Sequence, residues 1–538
     1  MLVKTICYQT KKILLVEDYD QVIAYTKSML VLLGFSQIVV AKNAEAALHA
    51  CRKTYFDLIL CDYNLGQGRD GYQLFEALKA EALLKADCSF IVISGERHRQ
   101  DVYGMVEFLP DDYLLKPFNY TGLQRRIERA IEVKQALRQP YQLIAEENYA
   151  DALQACDVAI AEHPKYQTYV RRLKGELLVK LGRYHSAEQL YQDVLSFRDL
   201  PWARLGLAVA KFNLQQEAEA EFMLVELSQQ AETKIEAMDW LCKLYLKQSK
   251  VQDAFEMVQQ VAEASPKNYL RQHRLANLAV VNNQPELAVR VHARLLEAAR
   301  YSIHDTADNM LNYARAMVQA AQHQTEREKQ RTLAKVSAFI KDIKKRFNPD
   351  SYMQDQCVIE ARIELLLGHK DIAVAKLQQS EELSLGKAPS PSGLLDRARA
   401  YFEAGNLSMS DHYMKELSDK AQAAEWYDAS VFVMYRAEQD KYAEKRDLMI
   451  DSNKAGMEAY RRGHYSEAIR HFYEAQKAMP ANANIALNLL QAISQKGRLN
   501  DELIDISHQC IDVIDKASLF FEQRQRYQLV KQNIQQIL

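Results

Sequence analysis

Four apolar runs near the start of the chain end in side chains that could do chemistry together. Glu17 and Asp18 close "KILLVED", Asp62 closes "FDLILCD", Ser94 lies at the end of "SFIVISG", and Lys116 at the end of "DYLLKP". Carboxylates gathered in one cleft repel. Two unit charges about 4 Å apart cost roughly 4 kcal/mol at an effective dielectric near 20. Such a trio requires a cation, and hard carboxylate oxygens with few other ligands suit Mg²⁺, which keeps waters and favours a phosphate as co-ligand. With an ammonium and a hydroxyl added, the set has the parts needed to form an aspartyl phosphate. Asp62 is the candidate nucleophile, while the metal and Lys116 neutralise the phosphoryl oxygens. Taken singly, an acid after a strand is ordinarily a helix cap or a solvated loop residue, and Lys-Pro is ordinarily a turn. Their joint placement is what carries the reading.

That placement needs a particular scaffold. Residues 12–18, 36–42, 56–62, 89–95 and 112–117 read as short buried strands, separated by helical patterns at 21–34 and 43–54 and followed by a helix from Tyr120 to about Leu137. Gly34 should close the first helix and Asn43 should cap the second. Five strand–helix steps imply an α/β fold with a five-stranded, doubly wound parallel sheet, flavodoxin-like, and a site at the carboxyl ends of the strands.

The segments "LLVED", "DLILCDYNL", "DGYQL", "IVISGE" and "YLLKPF" resemble the receiver domain of bacterial two-component response regulators of the chemotaxis CheY type. The resemblance covers residues 12 to about 135. It implies Asp62 as phosphoacceptor, with Glu17, Asp18, Asp62 and the Asn64 backbone carbonyl as the Mg²⁺ ligands. It further implies Ser94 and Tyr113 as switch residues, Lys116 as the conserved lysine followed by a cis Pro117, and Asn64 and Glu96 as the pair that tunes dephosphorylation. A sensor histidine kinase would be the phosphodonor. The chain departs from the family pattern in "LGQGRDG", where Gly66 stands in place of the usual proline and the loop is a residue longer; a more mobile loop is expected.

The remaining four hundred residues are Gly-poor, rich in Ala, Leu, Gln and Glu, and helical in period. The segment "KAGMEAYRRGHYSEAIRHFYEAQKAMP" (454–480) has Gly456, Gly463, Tyr465, Ala468, Phe472, Ala475 and Pro480 at the spacing of a 34-residue helix–turn–helix unit. The same frame recurs with Gly175, Gly182, Tyr184, Ala187 and Tyr191, and again with Trp202, Gly206, Ala218 and Phe222. This resembles tetratricopeptide repeats (TPR), so an all-α TPR solenoid is expected to follow the receiver. The expected boundaries are 11–138 for the receiver, 141–300 for repeats, 301–350 for an irregular helical segment, 351–515 for further repeats and 516–538 for a capping helix. "SPSG" (390–393) reads as the most linker-like stretch of the array. Consensus positions build the scaffold; ligand contacts would fall on groove positions such as Arg172, Glu176, Lys243, His273, Asn277, Arg399, Asn453 and Tyr460. They are mixed in sign, so the ligand's chemistry is not legible from them.

The totals narrow the function. The formal net charge of 538 residues is −2, which offers no footprint for nucleic acid or an anionic membrane. No apolar stretch is long enough to span a bilayer. Eight cysteines are scattered without zinc spacing, as expected for free thiols in a reducing cytoplasm. The expectation is a cytoplasmic regulator, not an enzyme beyond its own phosphorylation and autodephosphorylation, that signals by binding an unidentified protein and is open to homodimer formation. The rivals are an unphosphorylated TPR scaffold and a regulator with hidden phosphatase activity.

Overall fold

The computed structural model describes residues 8–95, 110–383, 389–423, 429–480, 482–497, 499–515 and 521–537. The first part is a five-stranded parallel sheet in the order β2-β1-β3-β4-β5, with β1 Lys12–Val16, β2 Gln37–Ala41, β3 Leu58–Asp62, β4 Ser89–Ser94 and β5 Asp112–Leu115. Helices α1 Asp20–Leu32, α2 Ala44–Lys53, α3 Gly71–Ala80 and α4 Tyr120–Ala136 flank it. Alternation along the strands makes two cores. Leu14, Val16, Ile59 and Cys61 pack with Leu74 and Phe75 on one face. Ile13, Leu15, Leu58 and Leu60 pack with Leu30, Leu123 and Ile127 on the other. Near-continuous apolar strands are what a sheet covered on both faces demands. The caps agree with the sequence: the Asn43 side chain accepts from the Ala46 amide at 2.8 Å, and Gly34, just beyond the C-cap residue Leu33, has φ +101°.

All else described is helical apart from turns and short 3₁₀ segments. The chain divides into two compact units, residues 1–275 with 294–305, and residues 276–293 with 306–538. In the first unit the sheet domain runs directly into helices. The connection to the first helix pair is itself helical, Arg138–Ala145, with Pro140 in the first turn where its missing N–H costs nothing. Leu137 is buried among Ala152, Cys156 and Val170 of the next helix pair. Helix pairs then meet over small residues. A Cβ on Gly175 or on Gly206 would stand 2.6 or 2.3 Å from the ring of Tyr191, which fills the gap between them.

In the second unit Gly456 accommodates Phe472 in the same way, at 2.7 Å. Its longest helix, Ala429–Arg461, has 33 residues, and Phe521–Ile537 is the last helix, with Tyr527, Val530 and Ile534 in the terminal core. "SPSG" is not a linker: Ser390 caps helix Pro391–Glu403 by accepting from the Gly393 amide, and Pro391 holds its first position. The sequence signal for flexibility was a helix start. No helix among the described residues is long and apolar enough to cross a membrane.

Candidate functional site

The carboxyl ends of the strands converge as the sequence requires. Val16 pairs with Cys61, Asp62 with Ile93, and Ser94 with Leu115, so the residues at or just after these ends share one edge. Oxygens of Glu17, Asp18 and Asp62 lie within 4.8 Å of one another. Lys116 Nζ reaches into the group, donating to Glu17 Oε2 at 2.8 Å and to Asp62 Oδ2 at 2.9 Å. Its backbone amide donates to the Ser94 carbonyl at 2.7 Å, and its peptide bond to Pro117 is cis.

Glu17 and Asp62 are buried, with 2% and 6% of their surfaces exposed. Burial pushes both carboxyls above the usual range. Lys116 opposes this, and a neighbouring acid, Asp62 for Glu17 and Asp18 for Asp62, adds to it. Burial also works against the Lys116 ammonium, but its bonds to Glu17 and Asp62 outweigh it and hold the group above its ordinary value. One ammonium for three clustered acids leaves the site short of positive charge. Asp18 Oδ1 is buried and accepts no hydrogen bond from the described residues. An orphaned carboxylate oxygen beside two more carboxylates fits a hard divalent cation such as Mg²⁺.

Asn64 lies exposed in the loop that follows β3. Ser94 is buried at the end of β4, and Tyr113, half-buried on β5, packs against the core beside α2 and α3. Glu96 lies outside the described residues. The loop is stitched at its base. The Gly71 amide donates to the Tyr63 carbonyl at 2.8 Å, and Asp70 makes a capping box with Gln73 at the start of α3. A Cβ on Gly71 would sit 2.3 Å from the Asp62 carbonyl oxygen, so only glycine allows this closure.

The groove candidates divide between the units, Arg172, Glu176, Lys243 and His273 in the first, Asn277, Arg399, Asn453 and Tyr460 in the second. Arg172 pairs with Glu176 at 3.0 Å, Lys243 stands over the Trp240 ring, and His273 stacks on Tyr269. Asn277 donates to Ser430 at 3.0 Å, Asn453 accepts from Asn488, and Tyr460 accepts from Gln491. Arg399, paired with Glu438 at 2.8 Å, lines a cavity of about 320 Å³ in the second unit. Its apolar wall includes Leu365, Phe402 and Met479, and its basic wall Lys441 and Lys445. Burial, then the neighbouring Lys441 ammonium, pushes Lys445 below its usual range. These two lysines were missed in the sequence because they lie on a long helix that matches the repeat poorly.

The sheet domain is similar to known proteins. The response regulator receiver domain family matches residues 13–128. Chemotaxis protein CheY-3 of Vibrio cholerae is 26% identical over 129 residues, 24% of this chain and 98% of that protein. Chemotaxis protein CheY of Pseudomonas aeruginosa is 28% identical over 121 residues, 22% of this chain and 96% of that protein. A solved CheY-like receiver domain protein from Methanospirillum hungatei is 26% identical, covering 23% of this chain and 96% of its own, with a TM-score of 0.21 that carries no weight.

Proposed function

With a CheY-like receiver domain at the N-terminus as its premise, we propose that the protein is a two-component response regulator. In this reading it takes phosphate on Asp62 and signals through a tetratricopeptide-type array that binds another protein. The observation that carries this is the clustering of Glu17, Asp18 and Asp62 around Lys116 Nζ. An Asp62 carboxylate oxygen attacks phosphorus, and the P–N bond to a kinase phosphohistidine breaks. The electron pair leaves with the imidazole, which takes up a proton. Glu17, Asp18, Asp62 and the Asn64 carbonyl would hold Mg²⁺, which when bound neutralises phosphoryl oxygens. Lys116 exchanges one carboxylate for a phosphoryl oxygen, Ser94 donates to another, and Tyr113 follows Ser94 inward. Asn64 and Glu96 position the water that later hydrolyses the acyl phosphate, so the modification is short-lived.

The receiver is assigned to 11–138, arrays to 141–300 and 351–515 on either side of an irregular segment at 301–350, and a capping helix to 516–538. The Gly/aromatic packing at Tyr191 and Phe472 supports the repeat reading. In the second unit the cavity with Lys441 and Lys445 beside Phe402 suits a partner segment that presents an acid next to an apolar side chain. Nothing in the charge balance calls for nucleic acid.

Acetyl phosphate with Mg²⁺, followed by mass spectrometry, tests the phosphorylation. One phosphoryl group is expected on the wild type and none on Asp62→Ala; an adduct that persists in the variant, or forms without metal, overturns the assignment. A pull-down with wild type and a Lys441→Glu/Lys445→Glu variant tests the partner surface.

A further inference from the structure

The loop that carries the acidic site is not held by the sheet domain alone. Lys267, in the turn between helices Val251–Ala264 and Tyr269–Val281 of the first unit, spans both ends of it. Its Nζ donates to the Tyr63 hydroxyl at 2.8 Å and lies 3.3 Å from Asp70 Oδ2, with the ammonium 4.8 Å from the Tyr63 ring centroid. Tyr63 is the residue after Asp62, and Asp70 caps α3. Neighbouring bonds extend the contact. Gln73 Nε2 donates to the carbonyls of Ala298 and Arg300 at 3.1 and 3.2 Å, Arg69 Nε donates to the Tyr301 carbonyl at 2.6 Å, and His304 faces Glu76 at 3.6 Å.

We propose that Lys267 is a positioning residue for the site at Asp62, supplied by the helical region, and that it pre-orders loop 63–70 for the divalent cation. The reasoning is geometric. The loop contains Asn64, whose carbonyl is the ligand expected beside the three acids, and it includes Gly66 and Gly68 at positive φ, a sequence that gains much freedom when released. Tying its first and last residues to one ammonium removes that freedom before the cation arrives, so less affinity is spent on ordering. The coupling is reciprocal: whatever tightens the metal site tightens the contact of Lys267 and residues 298–304 with loop 63–70 and α3, and whatever binds that surface alters the site. Among the described residues the helical region meets the sheet domain on this side and along α4. The pocket beside β5 is lined by Tyr113, Pro117 and Arg126 of the sheet domain itself.

The inference rests on Asp62 being the phosphorylation site only for its functional meaning, so the test reads the loop directly. In the full chain, Mg²⁺ affinity by calorimetry and amide exchange at 62–71 are compared for wild type, Lys267→Met, Lys267→Arg and Tyr63→Phe. A bond to a charged donor of this kind changes affinity by about tenfold. Lys267→Met should therefore weaken Mg²⁺ by about that factor and speed exchange of the Gly71 amide. Lys267→Arg should restore both, and Tyr63→Phe should reproduce the loss without adding to it in the double variant. The acetyl phosphate rate of Lys267→Met should recover at saturating Mg²⁺, an effect on half-saturation and not on the limiting rate. Wild-type Mg²⁺ affinity and exchange in Lys267→Met overturn the proposal. A wild type that binds Mg²⁺ in a Lys267-dependent way yet takes no phosphate overturns the Asp62 assignment and leaves the positioning role standing.

Discussion

Arg362 and Glu438 show what buried charge costs and returns at the scale of single residues. Arg362 is 1% exposed and bonds to Asp396 at 2.6 Å, Glu403 at 3.2 Å and Gln319 at 3.1 Å. Removing Arg362 takes the paired cation from Glu403 and leaves Asp396 only the longer contact with Arg315 at 3.6 Å, a loss that costs about 3–5 kcal/mol. Arg362→Met is therefore expected to lower stability by about that amount in urea titration; a loss below about 1 kcal/mol would sink the argument. Glu438 titrates in a defined direction. Burial raises its carboxyl, but Arg399 and Lys441 outweigh burial and hold it below the ordinary 4.5. A depressed carboxyl contributes stability above the unfolded value, and that contribution is lost as pH falls below about 4.5 toward the folded value. The stability gap between wild type and Glu438→Gln should be widest at neutral pH and close on acidification, as thermal unfolding at several pH values would show.

At the scale of elements, the helix pairs are set by glycine against aromatic. Tyr191 lies between Gly175 and Gly206, and a methyl on Gly206 would meet its ring at 2.3 Å. Gly206→Ala should cost about 1–3 kcal/mol through forced repacking, and less once Tyr191→Leu has opened the space. Equal losses in both backgrounds, measured by chemical denaturation, would reject this packing account. Such positions were legible in the sequence because the steric demand leaves only glycine. Turns were less so. Gly182, Gly368, Gly405, Gly463 and Gly497 take the left-handed conformation beyond a helix end, but Glu147, Gln215, Ser249 and Asn283 also have positive φ at comparable turns. A helix pair whose turn residue is not glycine lacks the clearest sequence signature of such a turn. The acidic site was legible because strand ends in a parallel sheet converge, so Glu17, Asp18, Asp62, Ser94 and Lys116 could be assembled from local patterns. Lys267 was not, because its contact joins residues some two hundred positions apart and depends on how the helices stack.

Across the molecule, the sheet domain is continuous with the helices that follow it. Leu137 is 1% exposed, and Val133 and Tyr141 pack around the same cluster. A fragment ending at Leu137 uncovers that cluster, whereas one ending at Gln230 keeps it. Each buried leucine is worth about 2 kcal/mol, so the shorter fragment should melt several degrees lower and bind a hydrophobic dye more strongly. Equal melting of the two would make the sheet domain energetically independent. Helix Ala429–Arg461 carries a different consequence. At 33 residues it is about 50 Å long, and residues near its start, Met434 and Tyr435, belong to one core while Ala459, near its end, belongs to the next. It therefore works as a phase shaft. One residue inserted near its middle turns everything beyond by about 100°, whereas four inserted residues leave a net error of about 40°. Length changes in this helix should be tolerated in steps of whole turns, a constraint on descent that no single substitution would reveal.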